Sequence, residues 1–177
     1  DMSHSSDTST LEAMELSTRP IVISHANPSF WHPAKRNKSK EILSKLSETG
    51  GILGFSLYPH HLNNASECTL DDFCKMIAKT VELMGINHVG FGSDLCQDQP
   101  DSIVEWMRVG KWTKSIDYGE GSASNPGFPA MPTWFKDNRD WHNIIKGLKN
   151  VGFNEEEINK IKGENWLSFF RKSFTSI

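Results

Sequence analysis

Strand and helix patterns alternate along the first half of this 177-residue chain, and this alternation limits the possible folds more than any other feature. Three short runs rich in branched and aromatic residues have the pattern of buried strands: 21–25, 52–58 and 88–94. Three segments between or before them have the spacing of helices: 11–17, 39–51 and 69–85. Because continuously apolar strands joined by helices form parallel sheets covered by helices, the sequence predicts an α/β fold. A fourth strand is expected to end at His4.

Strand and helix patterns do not alternate in the second half of the chain. Residues 95–135 contain several prolines and aromatic residues with little periodicity, which predicts a long loop or insert over the site. Two closing helices are expected at 136–151 and 154–172. Together, residues 1–177 are expected to form a single domain.

Composition excludes several classes of function. The net charge is −3 and no basic run is present, so nucleic acid is not an expected partner. No apolar stretch approaches the ~20 residues of a membrane span. The three cysteines are unsuitably spaced for a disulfide framework or a cysteine-ligated zinc, and we expect buried, unreactive thiols. A cytoplasmic location is favoured, and a periplasmic or secreted one stays open if a signal lay upstream.

Polar residues stand at the ends of the predicted strands: His4, His25, Tyr58 and Asp94. In parallel α/β folds the active site lies at the carboxyl ends of the strands. One histidine there is usually a hydrogen-bonded structural residue. Two histidines at equivalent ends of consecutive strands are equally good candidates for structural residues and for ligands of a shared Zn²⁺ ion, because neutral imidazoles are good zinc ligands.

Arg36 follows the strand that carries His25 and lies in a predicted loop. A surface arginine is usually only solvated, but one over a metal site can hold a carboxylate through two parallel hydrogen bonds. The adjacent pair His60 and His61 is expected to lie in a loop and not to form a ligand pair.

Several stretches together resemble the membrane (renal) dipeptidases, which are zinc exopeptidases on a (β/α)8 barrel. The matching stretches, in family order and spacing, are "DMSH", "VISHANP", "KRN", "LYP", "GFGSD" and the closing "GENWLSFF". The insert with "WMRVGKWT" is more similar to bacterial members of that family.

The resemblance implies a role for each matched residue. His4 and His25 match the histidines that bind one zinc of a binuclear pair. Arg36 matches the arginine that receives the carboxylate of the substrate, Asp94 the acid that carries the proton, and Tyr58 a tyrosine of the pocket wall. The implied activity is hydrolysis of dipeptides that have a free C-terminus.

The chain also departs from the family pattern. The His-x-Asp pair of the other zinc and the glutamate that bridges both metals do not occur in it. We therefore expect the C-terminal half of a TIM-type barrel, strands five to eight, with the first half outside this chain. Alone it is expected to be inactive, and to pair either with the missing half or as a homodimer.

The sequence is also compatible with two other functions. One is a metal-dependent amidase or lactonase that acts on another small acyl substrate, because a fold does not determine a substrate. The other is an inactive half-barrel remnant that serves as a binding module.

Overall fold

The computed structural model describes residues 1–107 and 127–174. A three-stranded sheet lies at its centre, with strands β1 (Val22–Ala26), β2 (Ile52–Phe55) and β3 (Val89–Phe91) in that order. The helices are α1 (Asp7–Leu16), α2 (Lys40–Glu48), α3 (Leu70–Met84), α4 (Ser102–Met107), α5 (Trp141–Asn150), α6 (Glu155–Asn159) and α7 (Asn165–Phe174). Single 3₁₀ turns occupy Pro59–His61, Ala65–Glu67, Ile86–His88 and Asn138–Asp140.

Both strand pairs are parallel, as the alternation predicts. Ile23 lies opposite Leu53, and Leu53 lies opposite Val89. The side chains of Ile23, Leu53, Phe55 and Val89 are completely buried. Helices α2 and α3 connect the strands as crossovers, so the sheet has the α/β architecture expected from the sequence.

The helices begin where hydroxyl residues can cap them. Ser6, Ser39 and Thr69 precede α1, α2 and α3, and each side-chain oxygen accepts a hydrogen bond from a backbone N–H three residues later. Such caps satisfy one of the free donors of a first helical turn. Asn154 caps α6 in the same way, within a reciprocal capping box formed with Glu157.

The expectation of a fourth strand ending at His4 is wrong for the described residues. One backbone hydrogen bond, from the Met2 N–H to the Val22 carbonyl at 2.8 Å, joins this segment to β1. The Ser5 N–H then donates back to the Met2 carbonyl at 3.2 Å and closes a turn. The chain leaves the edge of the sheet at that turn, so no ladder forms.

The expectation of one closing helix over 154–172 is also wrong. Gly163 has non-helical dihedral angles within a π-helical segment, Lys160–Glu164, that separates α6 from α7. Trp166, just after this break, donates from Nε1 to the Phe91 carbonyl at 3.0 Å. An added Cβ at Gly90 would lie 2.5 Å from Trp166 Nε1, so glycine there allows the indole to pack on the sheet.

The predicted loop over 95–135 is described in part. It contains the short helix α4, and residues 127–137 have no helix or strand. Residues 108–126 lie outside the described residues. None of the helices in the described ranges is long and apolar enough to cross a bilayer. All three cysteines, Cys68, Cys74 and Cys96, are free, and the first two are buried.

Candidate metal and catalytic site

The two predicted ligand histidines lie side by side. His25 is in β1, and His4 is in the turn before α1. Their Nε2 atoms are 3.0 Å apart, and the ring planes meet at 65°. This spacing suits two imidazoles that share one zinc ion at ~2.0–2.1 Å each.

Arg36 reaches the same point from the loop between β1 and α2. Its Nη2 lies 2.9 Å from His4 Nε2. Because a guanidinium donates hydrogen bonds and accepts none, His4 Nε2 must be the acceptor. That nitrogen therefore carries a lone pair and no proton.

The surroundings of His25 favour its neutral form. Burial, with a second contribution from the Arg36 charge, lowers the pKa of His25 from its ordinary value. On the far side of its ring, Nδ1 lies 2.8 Å from the Ser24 hydroxyl. A neutral, hydrogen-bonded imidazole is the form in which histidine binds metals.

Asp94 faces the histidine pair from the loop after β3. Its Oδ1 lies 4.0 Å from His25 Nε2, and its side chain is 31% exposed. The residue has a φ of 55°, a left-handed conformation that aspartate tolerates better than most residues. A hydrogen bond from the Leu57 N–H to the Ser93 carbonyl, at 3.0 Å, holds the preceding residue beside the end of β2.

Tyr58 stands slightly apart from this group. It is nearly buried, and its ring lies 5.3 Å from the ring of His61, between centroids. Tyr58 and Asp94 both line a cleft of about 630 Å³ bounded further by Gln97, Phe128 and other residues of the long loop. In the described part of the chain the two histidines and Arg36 do not line that cleft. The structure thus brings His4, His25, Arg36 and Asp94 together and puts Tyr58 on the adjoining wall.

A complete metal site is not found in the described ranges 1–107 and 127–174. They contain no group of three or more histidine, cysteine, aspartate or glutamate side chains that could hold an ion. Zinc in proteins usually takes four ligands, or three with an open position. The donor set of His4 and His25 therefore fits one part of such a site.

The sequence interpretation missed a buried amide pair that supports this group. Asn27 Nδ2 donates to the carbonyls of Ser56 and His61 at 3.0 and 3.2 Å, and Asn27 Oδ1 accepts from the Ser56 N–H at 3.1 Å. Asn37, next to Arg36, accepts from the Asn27 N–H and donates to the His61 carbonyl, both at 3.0 Å. The signal in the sequence is the asparagine in each of "SHANP", which follows β1, and "KRN", which lies in the loop before α2.

The chain is similar in sequence to known dipeptidases. The family model described as "Membrane dipeptidase (Peptidase family M19)" matches residues 1–114. The dipeptidase ataJ of Aspergillus terreus is 26% identical over 177 residues, which cover 97% of this chain and 35% of that protein. The dipeptidase tcpJ of Claviceps purpurea is 22% identical, covering 97% of this chain and 34% of that protein.

Solved structures share the fold. An amidohydrolase from Pseudomonas aeruginosa superposes with a TM-score of 0.82 at 26% identity, covering 96% of this chain and 50% of its own. A metallopeptidase of family M19, dipeptidase AC, has a TM-score of 0.76 at 19% identity, covering 99% and 43%. The chain thus spans about a third of the curated relatives and half or less of these solved chains. Since the family model matches well over half of its residues, the chain belongs to the membrane dipeptidase family, Peptidase family M19.

Proposed function

We propose that the protein of which this chain is part, here the parent protein, is a zinc-dependent dipeptidase. The observation that carries the proposal is the convergence at His4 Nε2, with His25 Nε2 at 3.0 Å and Arg36 Nη2 at 2.9 Å. A carboxylate, Asp94, lies 4.0 Å from His25. Family membership supports metal-dependent peptide hydrolysis as the chemistry of these groups.

The chain forms the C-terminal half of a (β/α)8 barrel, with β1 to β3 among strands five to eight. The parallel order β1-β2-β3 and the coverage of half of the Pseudomonas aeruginosa chain support this proposal. The other half would supply the remaining ligands of the zinc site. The two described ligands alone bind zinc weakly, because an ion held by two neutral imidazoles lacks a compensating negative charge.

Each residue near the histidine pair is assigned one role in metal binding, proton transfer or substrate binding. His4 and His25 hold one ion through their Nε2 atoms. Bound zinc lowers the pKa of a coordinated water and polarises the scissile carbonyl. Asp94 accepts a proton from the attacking water at a carboxylate oxygen and returns it to the leaving nitrogen. Arg36 binds the C-terminal carboxylate and orients the peptide bond, and Tyr58 bounds the substrate on the cleft side.

Dipeptides are the proposed substrate class. A related metallopeptidase from Rhodobacter sphaeroides was solved with a phosphinate mimic of the dipeptide L-Ala-D-Ala, and it covers 98% of this chain with a TM-score of 0.76. A single arginine beside the metal ligands favours substrates with one carboxylate close to the scissile bond.

A carboxylate-specific substitution tests this function. In the parent protein Arg36→Ala is expected to raise KM at least tenfold for a dipeptide and far less for the same dipeptide amide. Arg36→Lys restores part of the loss, since lysine keeps the charge but lacks the planar fork. Arg19→Ala, which removes an exposed arginine that donates to the Ser173 carbonyl, is the matched control. Equal losses on both substrates would remove Arg36 from carboxylate binding.

A second candidate is a metal-dependent amidase that acts on another small acyl compound. The structural neighbour with a TM-score of 0.82 is described as an amidohydrolase, which favours it. The two candidates differ in their need for a free carboxylate. Turnover of N-acyl amides that lack a carboxylate, with no turnover of dipeptides, would select the amidase.

The isolated chain is proposed to be inactive and to associate. Within the described sheet, β1 and β3 are edge strands, and open edges invite pairing with another chain. Purified residues 1–177 are expected to be dimeric or larger by light scattering and to show no dipeptide turnover with added zinc. A stable, active monomer would contradict the half-barrel proposal.

A further inference from the structure

A carboxylate, a hydroxyl and an imidazole form a continuous chain of contacts behind His25. The Ser24 hydroxyl lies 2.8 Å from His25 Nδ1. The same hydroxyl contacts the carboxylate oxygen Oδ2 of Asp1. Asp1 Oδ1 in turn accepts from the Ser24 N–H at 3.2 Å and from the Ser3 hydroxyl at 2.7 Å.

The number of protons shared by Asp1, Ser24 and His25 decides which His25 ring nitrogen is protonated. An ionised carboxylate only accepts hydrogen bonds, so the single Ser24 hydroxyl proton points at Asp1. The Ser24 oxygen is then left as an acceptor towards His25, and Nδ1 must be the donor. A neutral imidazole has one N–H, so His25 Nε2 carries a lone pair.

The opposite side of the ring shows what the His25 Nε2 lone pair faces. His25 Nε2 lies 3.0 Å from His4 Nε2, which already accepts from Arg36. A proton on His25 Nε2 would point at a nitrogen whose one lone pair is engaged by the guanidinium. Two lone pairs 3.0 Å apart repel each other unless a cation lies between them, as a shared zinc ion would. The proton on His25 Nδ1 is therefore assigned by the Ser24 and Asp1 contacts.

We propose that Asp1 and Ser24 are positioning residues that hold His25 as the Nδ1–H tautomer and aim its Nε2 lone pair towards His4. The tautomer assignment rests on the Ser24 and Asp1 contacts, whereas its use in zinc binding rests on the proposed function. Hydrogen bonding of this kind orients a ligand imidazole and raises its basicity, and loss of such a partner commonly lowers metal affinity 10–100-fold.

Nitrogen-15 NMR of the histidine-labelled parent protein tests the tautomer directly. The spectrum is recorded without metal at neutral pH, and the His25 signal is assigned by its loss in His25→Gln. We expect proton coupling at Nδ1 and a lone-pair shift at Nε2. Ser24→Ala and Asp1→Ala should each move the ring towards the Nε2–H form. Ser24→Thr, which keeps a hydroxyl, should preserve the wild-type pattern.

Zinc affinity, measured by competition with a chromophoric chelator, is the second readout. Ser24→Ala and Asp1→Ala should each weaken zinc binding 10–100-fold. The double variant should be no weaker than Ser24→Ala, because both residues act through one hydroxyl. Ser47→Ala is the matched control, since it removes a hydroxyl from α2 that bonds only locally to the Ser44 carbonyl.

The outcomes separate this proposal from the proposed function. An Nε2–H tautomer in the wild-type protein would overturn the assignment, even if the variants failed to fold. A tautomer change in Ser24→Ala with unchanged zinc affinity would overturn the positioning role. An Nδ1–H ring in a wild-type protein that binds no zinc would confirm the assignment and contradict the proposed metal site.

Discussion

Asn27 offers the sharpest test of how the site is held in place. The residue follows β1 directly and is completely buried. Its side chain joins β1 to the segment after β2 through three hydrogen bonds, two to Ser56 and one to the His61 carbonyl, at 3.0–3.2 Å. Asn27→Ala removes all three while leaving the backbone free to keep its path.

The expected cost follows from these bonds. A buried hydrogen bond contributes a net ~1 kcal/mol, so the three together contribute about 3 kcal/mol. Alanine also leaves the Ser56 carbonyl and N–H in an apolar interior without their side-chain partner, which keeps the cost from falling much below that sum. We therefore predict that Asn27→Ala lowers the free energy of unfolding by about 2–4 kcal/mol.

Urea unfolding monitored by far-UV circular dichroism measures this loss. Asn150→Ala is the matched control, because Asn150 is exposed at the end of α5 and the change there should stay within ~0.5 kcal/mol. If Asn27→Ala costs less than ~1 kcal/mol, the amide pair does not hold the loop that carries Arg36.

Three further predictions concern Arg36, Gly90 and His61. Arg36→Ala should strengthen zinc binding about tenfold in a competition titration, because it removes a positive charge and a competing donor from His4 Nε2. Gly90→Ala should lower the free energy of unfolding by about 1–3 kcal/mol in urea, because its Cβ would meet Trp166 Nε1 at 2.5 Å. Burial, mainly, lowers the pKa of His61 to about 3. Between pH 6.5 and 3 the unfolded chain binds a proton at His61 that the folded chain does not. The free energy of unfolding should therefore fall as the pH falls, by up to ~1.4 kcal/mol per pH unit. His61→Asn should reduce that slope.

Each of these three has a matched control. Arg19→Ala removes an exposed charge away from the histidine pair and should leave zinc affinity unchanged. Glu12→Ala changes an exposed residue of α1 and should cost little. His142→Asn changes an exposed histidine and should keep the pH slope. Weaker zinc binding in Arg36→Ala, an unchanged stability in Gly90→Ala, or an unchanged slope in His61→Asn would each refute its prediction.

The elements that could be predicted from the sequence are those specified by local patterns. Helix α3 follows from the Thr69 cap and an apolar face with helical spacing, and it was expected at 69–85 and observed at Leu70–Met84. The parallel pairing of β1, β2 and β3 follows from crossover helices between apolar runs. Neither result needs information from distant residues.

Other elements depend on contacts that a local pattern does not specify. A strand at His4 requires a partner along the edge of β1, and the Ser5 turn ends the pairing after one hydrogen bond. The break at Gly163 places Trp166 over Gly90, a contact between residues 76 positions apart in the sequence. Periodicity alone predicts an uninterrupted helix there.

Some residues of the candidate site could also be predicted from local patterns, whereas others depend on contacts with distant parts of the chain. Positions at strand ends pointed to His25 and Asp94, because parallel strands end on one rim. His4 was predicted from a strand that does not form, and it lies in the turn before α1. The approach of Arg36 to His4 depends on the path of the loop between residues 27 and 38, which the asparagine pair holds. Tyr58 also lies near the rim, but three residues beyond the observed end of β2.

Hydrolysis of a dipeptide by the parent protein is the decisive assay for a zinc site built on His4 and His25. We predict turnover that is lost on chelation, restored by added zinc, and reduced more than a hundredfold in His25→Ala, as expected for loss of a metal ligand. His142→Ala, at an exposed histidine of α5, should keep wild-type activity. Full activity of His25→Ala, or activity that survives complete metal removal, would contradict a zinc dipeptidase site built on His4 and His25.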